Sequence, residues 1–100
     1  MLRGKQRSFL KGLANTMKPI LQIGKEGISE KVIAQIDKML NDHELIKINV
    51  LDSSSLVAKE VAIEICDELK SEYISAMGNK LVVYRESRTM DKDERIKLPK

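Results

Sequence analysis

Two glycines three residues apart, Gly24 and Gly27, enclose Lys25 and Glu26 within the stretch Lys-Pro-Ile-Leu-Gln-Ile-Gly-Lys-Glu-Gly-Ile-Ser from Lys18 to Ser29. Pro19 opens a short apolar run, Ile20 to Ile23, that reads as a buried strand. Ser29 is a good helix N-cap, because its hydroxyl can accept from an otherwise unpaired amide. A strand, a Gly-x-x-Gly turn and a helix start bring backbone N–H groups beside a lysine at the positive end of a helix, a geometry suited to a phosphate. Glycine matters there because a chain without Cβ turns sharply and lets a ligand approach the backbone. The same residues would also serve as a plain strand-to-helix connection.

Other chemistry finds little to build on. His43 is the only histidine, at the passage from a helix into a strand, and reads as a structural or capping residue. Cys66 is the only cysteine, which excludes an internal disulfide and a cysteine-rich zinc site. It shares an apolar helix face with Ala62, Ile65 and Leu69, as an inert core thiol would. The chain has no Walker-type phosphate loop, no metal-ligand cluster and no nucleophile elbow. A catalytic role has no candidate residue, and no cofactor or metal is expected.

Charge is more informative. Residues 1–25 carry six basic side chains, Arg3, Lys5, Arg7, Lys11, Lys18 and Lys25, and no acid. Residues 26–77 reverse the balance with eleven acids against five bases, and residues 78–100 return to seven bases against four acids. Segregation of this kind suits a polyanion on one side of the molecule; the alternative is that charged residues simply solvate a surface. With three aromatics, Phe9, Tyr73 and Tyr84, there is little on which to stack bases.

These residues need a scaffold, and 100 residues suffice for one domain. No stretch approaches the ~20 apolar residues of a membrane span, and the basic N-terminus lacks an apolar h-region, so a cytoplasmic protein is expected. Arg3 to Thr16 reads as a helix with Phe9, Leu10 and Leu13 on one face and Arg3, Arg7 and Lys11 in a basic stripe beside it. A strand at Ile20–Ile23 follows, then a helix over Glu30 to Asp42 with Val32, Ile33, Ile36, Met39 and Leu40 at helical spacing. Leu45 to Leu51 alternates as a strand with one buried and one wet face. Asp52 and Ser53–Ser55 supply caps for a third helix reaching about Lys70, whose outer face is acidic.

Tyr73–Met77 and Leu81–Arg85 form a hairpin about Gly78-Asn79-Lys80. The expected fold is α/β (α+β), a two-layer α-β-α-β-α-β-β domain over residues 1–85. Its four-stranded mixed sheet has the helices on one face. Strands joined by helices run parallel, and the hairpin adds one antiparallel strand. Residues 86–100 lose hydrophobic period and read as a charged tail, mobile or loosely docked.

Five segments in order resemble a known family: Leu10-Lys11-Gly12-Leu13-Ala14, Lys18-Pro19, Ile23-Gly24-Lys25-Glu26-Gly27-Ile28-Ser29, His43-Glu44-Leu45-Ile46-Lys47 and Gly78-Asn79-Lys80-Leu81-Val82-Val83-Tyr84-Arg85. Together with the ending Ile96-Lys97-Leu98-Pro99 they look like the bacterial YhbY proteins, stand-alone CRM (chloroplast RNA splicing and ribosome maturation) domains. The resemblance covers nearly the whole chain. It implies a fold similar to the C-terminal domain of translation initiation factor three, RNA binding, and association with rRNA in precursors of the large ribosomal subunit. It also implies that Gly24, Lys25, Glu26 and Gly27 form a loop similar to that of KH domains, which clamps a few nucleotides by their backbone.

Around that loop Arg3, Arg7, Lys11, Lys18, Lys80 and Arg85 would supply the electrostatics, positioning RNA without reading its sequence. A monomer is expected, with ribosomal proteins as further partners. The competing class is a protein-interaction module that docks a basic partner on the acidic third helix.

Overall fold

The computed structural model describes residues 2–24, 26–51 and 56–100. The element order is helix α1 (Gly4–Ala14), strand β1 (Leu21–Ile23), helix α2 (Glu30–His43), strand β2 (Leu45–Val50), helix α3 (Ala58–Leu69) and the hairpin β3 (Glu72–Met77) and β4 (Lys80–Tyr84), with a short 3-10 turn at Lys92–Glu94. Ser29 starts α2 as expected, its Oγ accepting from the Val32 N–H at 3.2 Å. The expected caps at Asp52 and Ser53–Ser55 lie outside the described residues. Helix α3 follows Val57, which offers no side-chain cap.

The sheet order is β1-β2-β4-β3. Strands β1 and β2 pair in parallel across the α2 crossover, whereas β4 is antiparallel to both β2 and β3. The antiparallel strand from the hairpin thus slots between two strands that share a direction. One sheet face, formed by Ile23, Ile46, Ile48, Val50, Leu81 and Val83, packs under α2 and α3 through Ile36, Leu40, Val61, Ala62 and Ile65.

The layering differs from expectation. Helix α1 lies on the opposite face, where Leu10 and Ala14 meet Leu45, Ile74, Val82 and Tyr84 in a second core. The helices therefore cover both faces, and the second face of β2 is not simply wet. The cause is visible in the central strands: β2 buries Leu45 as well as Ile46, and β4 buries four consecutive residues, Leu81 to Tyr84. A strand apolar on both sides needs two covers.

The chain after β4 completes that second cover. Ile96 and Leu98 pack on the core under α1, and the Gln6 Nε2 donates to the Pro99 carbonyl at 3.1 Å. Glu44 holds the segment in place. It sits between α2 and β2 with φ 65° and a fully buried side chain, whose carboxylate accepts from the Ser87 N–H at 2.7 Å and the Ile96 N–H at 2.6 Å. Residues 86–100 are thus a docked strap and not a loose tail. Their attachment runs through backbone amides, one distant carboxylate and just two apolar residues, Ile96 and Leu98, which leave no hydrophobic period in the sequence.

Candidate nucleic-acid interface

Helix α1 is too short to cover its face of the sheet. It shields the half bearing Leu45, Ile74, Val82 and Tyr84 and stops at Ala14. Beyond it the strand register sets a row across all four strands, polar on three of them: Gln22 opposite Asn49, Asn49 opposite Lys80, and Lys80 opposite Met77. Residues directly opposite share a face, so the row forms an open floor. The next row contains Lys47, Val82 and Ser75.

Where floor and helix end meet there is a groove of about 210 Å³, lined among others by Lys11, Asn15, Lys47, Ser75, Met77 and Lys80. Three lysines from α1, β2 and β4 converge there, and no acidic residue lines it. Lys47 is fixed most tightly: its Nζ donates to the Ala14 carbonyl at 3.0 Å and the Met17 carbonyl at 3.2 Å. A cation on these end-of-helix carbonyls is favoured by the helix dipole, and an ammonium keeps a third N–H to offer. Lys11 and Lys80 are exposed and extend the positive rim, and Lys18 is exposed on the segment after α1.

Sequence reasoning named Lys11, Lys18 and Lys80 but passed over Lys47, Asn49, Gln22, Ser75 and Met77. The available clue was alternation in β2: Lys47 and Asn49 sit opposite in phase to Ile46, Ile48 and Val50.

The glycine loop leaves the sheet at the same end as the hairpin turn. The Ile23 carbonyl accepts from Leu51 N–H at 2.9 Å, and the Asn79 carbonyl accepts from Val50 N–H at 2.7 Å. Only β2 separates the two, a gap of about 10 Å at ordinary strand spacing. The Gly27 N–H donates to the Gly24 carbonyl at 3.0 Å, so that amide closes the turn and is not bare. Gly27 has φ 68°, the left-handed conformation in which a glycine is least strained. Lys25 lies outside the described residues. Glu26 is exposed, and on the α3 side the loop faces Glu60 and Glu64. Phosphate would therefore approach from the hairpin side.

Two arginines expected at the surface are committed inward. Arg85 is 6% exposed; its guanidinium donates to Asp37 Oδ1 at 2.8 Å, the Leu69 carbonyl at 3.0 Å, the Asp37 carbonyl at 3.1 Å and Asn41 Oδ1 at 3.1 Å. It ties α2, α3 and β4 together and has no surface to offer a ligand. Arg7 is half-buried, donates to the Tyr73 carbonyl and lies 3.8 Å from the Glu72 carboxylate, pinning α1 to β3. Arg3 is exposed at the start of α1, away from the groove at its other end.

His43 is exposed in the last turn of α2. Cys66 is half-buried, and burial pushes its thiol up from the ordinary value, with Ser71 opposing. No group of metal-binding side chains occurs among the described residues.

Known proteins match this chain closely. The model of the CRS1/YhbY (CRM) domain matches residues 2–85. "Probable RNA-binding protein YqeI" of Bacillus subtilis is 36% identical over 99 residues, covering 99% of this chain and 100% of that protein. An "RNA-binding protein" of Haemophilus influenzae is also 36% identical over 99 residues, covering 99% of this chain and 96% of its own. The solution structure of the hypothetical protein SAV1595 from Staphylococcus aureus superposes with a TM-score of 0.75 at 42% identity, covering 99% of this chain and 100% of that one. The chain belongs to the CRS1/YhbY (CRM) domain family.

Proposed function

We propose that this chain binds RNA on the sheet face that α1 leaves open, and that its RNA is rRNA in precursors of the large ribosomal subunit, whose assembly it assists in the cytoplasm. The observation that carries the reading is the acid-free groove in which Lys11, Lys47 and Lys80 converge from three separate elements. Around the uncharged polar side chains Gln22, Asn49 and Ser75, such lysines suit a sugar-phosphate backbone crossing the sheet. Lys18 and the Gly24–Gly27 loop border the same end, and Lys25 contributes by its charge. Arg85 drops out of the contact set because its guanidinium is enclosed. Arg7 contributes mainly by fixing α1.

RNA would be held by shape and backbone more than by base sequence. Tyr84 is buried, Tyr73 packs on the other face of the sheet and Phe9 is on α1, so among the described residues the open floor has no aromatic side chain for stacking. Its uncharged groups, Gln22, Asn49 and Ser75, can still hydrogen-bond ribose hydroxyls or a splayed base. The protein is not an enzyme in this reading, and it acts as a monomer, with ribosomal proteins as neighbours on the particle.

Crosslinking in cells followed by sequencing of the attached RNA tests both levels. Enrichment of large-subunit rRNA precursors is expected. Crosslinks confined to other RNA would remove the ribosomal part, and an absence of crosslinks would remove RNA binding itself.

A further inference from the structure

The face opposite the lysine groove has its own concavity. A groove of about 490 Å³ runs between α2 and α3, with Ile28, Ile33 and Leu69 in its lining and Glu30, Glu64 and Glu68 at its rim. Past Ile28 and Glu64 it continues into a second hollow, of about 350 Å³, bounded by Glu26, Val57 and Glu60. No basic side chain lines either part. Asp37 borders the groove too, but Arg85 answers its charge at 2.8 Å. The other five carboxylates are exposed, and among the described residues none of them is in an ion pair.

We propose that the α2–α3 groove docks a cationic segment of a partner protein, a short peptide stretch that alternates lysine or arginine with aliphatic side chains. Charge complementarity selects this occupant. Five unpaired carboxylates along one trough repel each other and any polyanion, so RNA is excluded from this face. A partner's basic side chains would relieve that repulsion, while its aliphatic ones would cover Ile28, Ile33 and Leu69. From Glu60 to Leu69 the trough runs about 14 Å along α3 at 1.5 Å per residue. That length takes about four residues of extended chain at about 3.3 Å each. The sheet separates this groove from Lys11, Lys47 and Lys80, and the glycine loop through Glu26 and Gly27 is the element that borders both. The inference does not depend on the RNA reading.

The full-length chain is titrated with a fluorescent synthetic peptide repeating Lys-Lys-Leu, and with Lys-Lys-Ser and Glu-Glu-Leu counterparts. Saturable binding of the first alone is expected, weakening as salt rises. Glu64→Gln with Glu68→Gln removes two exposed charge pairs and should weaken it about fivefold. Ala34→Trp fills the trough from an exposed position on α2 and should abolish peptide binding while leaving RNA affinity unchanged. Lys11→Gln with Lys80→Gln should leave peptide affinity unchanged. Circular dichroism establishes that each variant is folded. Equal binding of the Lys-Lys-Leu and Lys-Lys-Ser peptides would overturn the proposal, as would indifference to both groove variants. So would sedimentation of the wild-type chain as a dimer that Ala34→Trp dissociates, which would make a second copy the occupant.

Discussion

Replacing Lys11 and Lys80 together by Gln isolates the electrostatic term of the proposed RNA face. Both side chains are exposed, line the same groove from α1 and β4, and make no ion pair among the described residues. Each phosphate contact releases counterions, so log K falls against log salt with a slope of about 0.7 per contact on single strands and about 0.9 on duplex. Two lost contacts should flatten the slope by about 1.4 to 1.8, and at about 0.1 M salt weaken binding about 25- to 60-fold. Exposed substitutions rarely move stability beyond about 0.5 kcal/mol, so the melting temperature should shift by no more than about 4 °C.

The control is Lys31→Gln with Lys59→Gln, which removes the same charge from exposed positions on α2 and α3. The assay is fluorescence anisotropy of one labelled stem-loop RNA at several salt concentrations. If both double variants flatten the slope equally, the effect is one of net charge and the groove is not the interface.

Three further outcomes test the scaffold. Glu44→Gln keeps one acceptor oxygen for two buried amides, those of Ser87 and Ile96; urea unfolding should show a loss of about 1–3 kcal/mol, and proteolysis should release the C-terminal strap. Arg85→Ala leaves the carbonyls of Leu69 and Asp37 without their donor beside a partly exposed Asp37 carboxylate, and should cost about 1–3 kcal/mol by the same measurement. Burial, then the nearby Glu44 and Glu86 carboxylates, push the Tyr84 phenol up to about 12. Ultraviolet titration should find one tyrosine ionising near there. The neutral phenol is favoured by the fold, so its contribution to stability is whole below about pH 10 and is lost as pH rises towards about 12.

The helices and strands were legible because each carries its period: Val32, Ile33, Ile36 and Leu40 for α2, and Ile46, Ile48 and Val50 for β2. Strand directions followed from connection lengths: the short turn makes β3 and β4 antiparallel, and the helices α2 and α3 make β1, β2 and β3 run the same way. The side on which α1 packs was not legible from its own stripe. Phe9 and Leu13, which share the apolar face with Leu10, are 39% and 40% exposed, while Leu10 alone of the three is enclosed. The information lay in β4, whose unbroken apolar run demanded a second cover.

The candidate site is read from charge and not from partner. A basic residue in a sequence is equally available to solvent, to a phosphate or to a buried carboxylate, and only tertiary structure chooses. Arg85, just past β4, found Asp37 and two helix-end groups, whereas Lys80, five residues earlier at the start of that strand, found none among the described residues and faces outward. Lys47 has both roles, holding the end of α1 while lining the groove.

That double role links the stability of the scaffold to the position of the interface. The groove exists only where α1 ends, and three contacts fix that helix: Arg7 on the Tyr73 carbonyl, Gln6 on the Pro99 carbonyl, and Lys47 on the carbonyls of Ala14 and Met17. The second contact depends on the C-terminal strap, which in turn depends on Glu44. A buried carboxylate at the far end of β2 thus helps to set the wall against which RNA would lie. Variants of Glu44 or Arg7 should weaken RNA binding together with a loss of stability, because a displaced α1 carries Lys11 with it. Variants of Lys11 or Lys80 should change the slope with α1 in place. Slope and stability, measured together, separate a residue that touches the ligand from one that holds the surface in position.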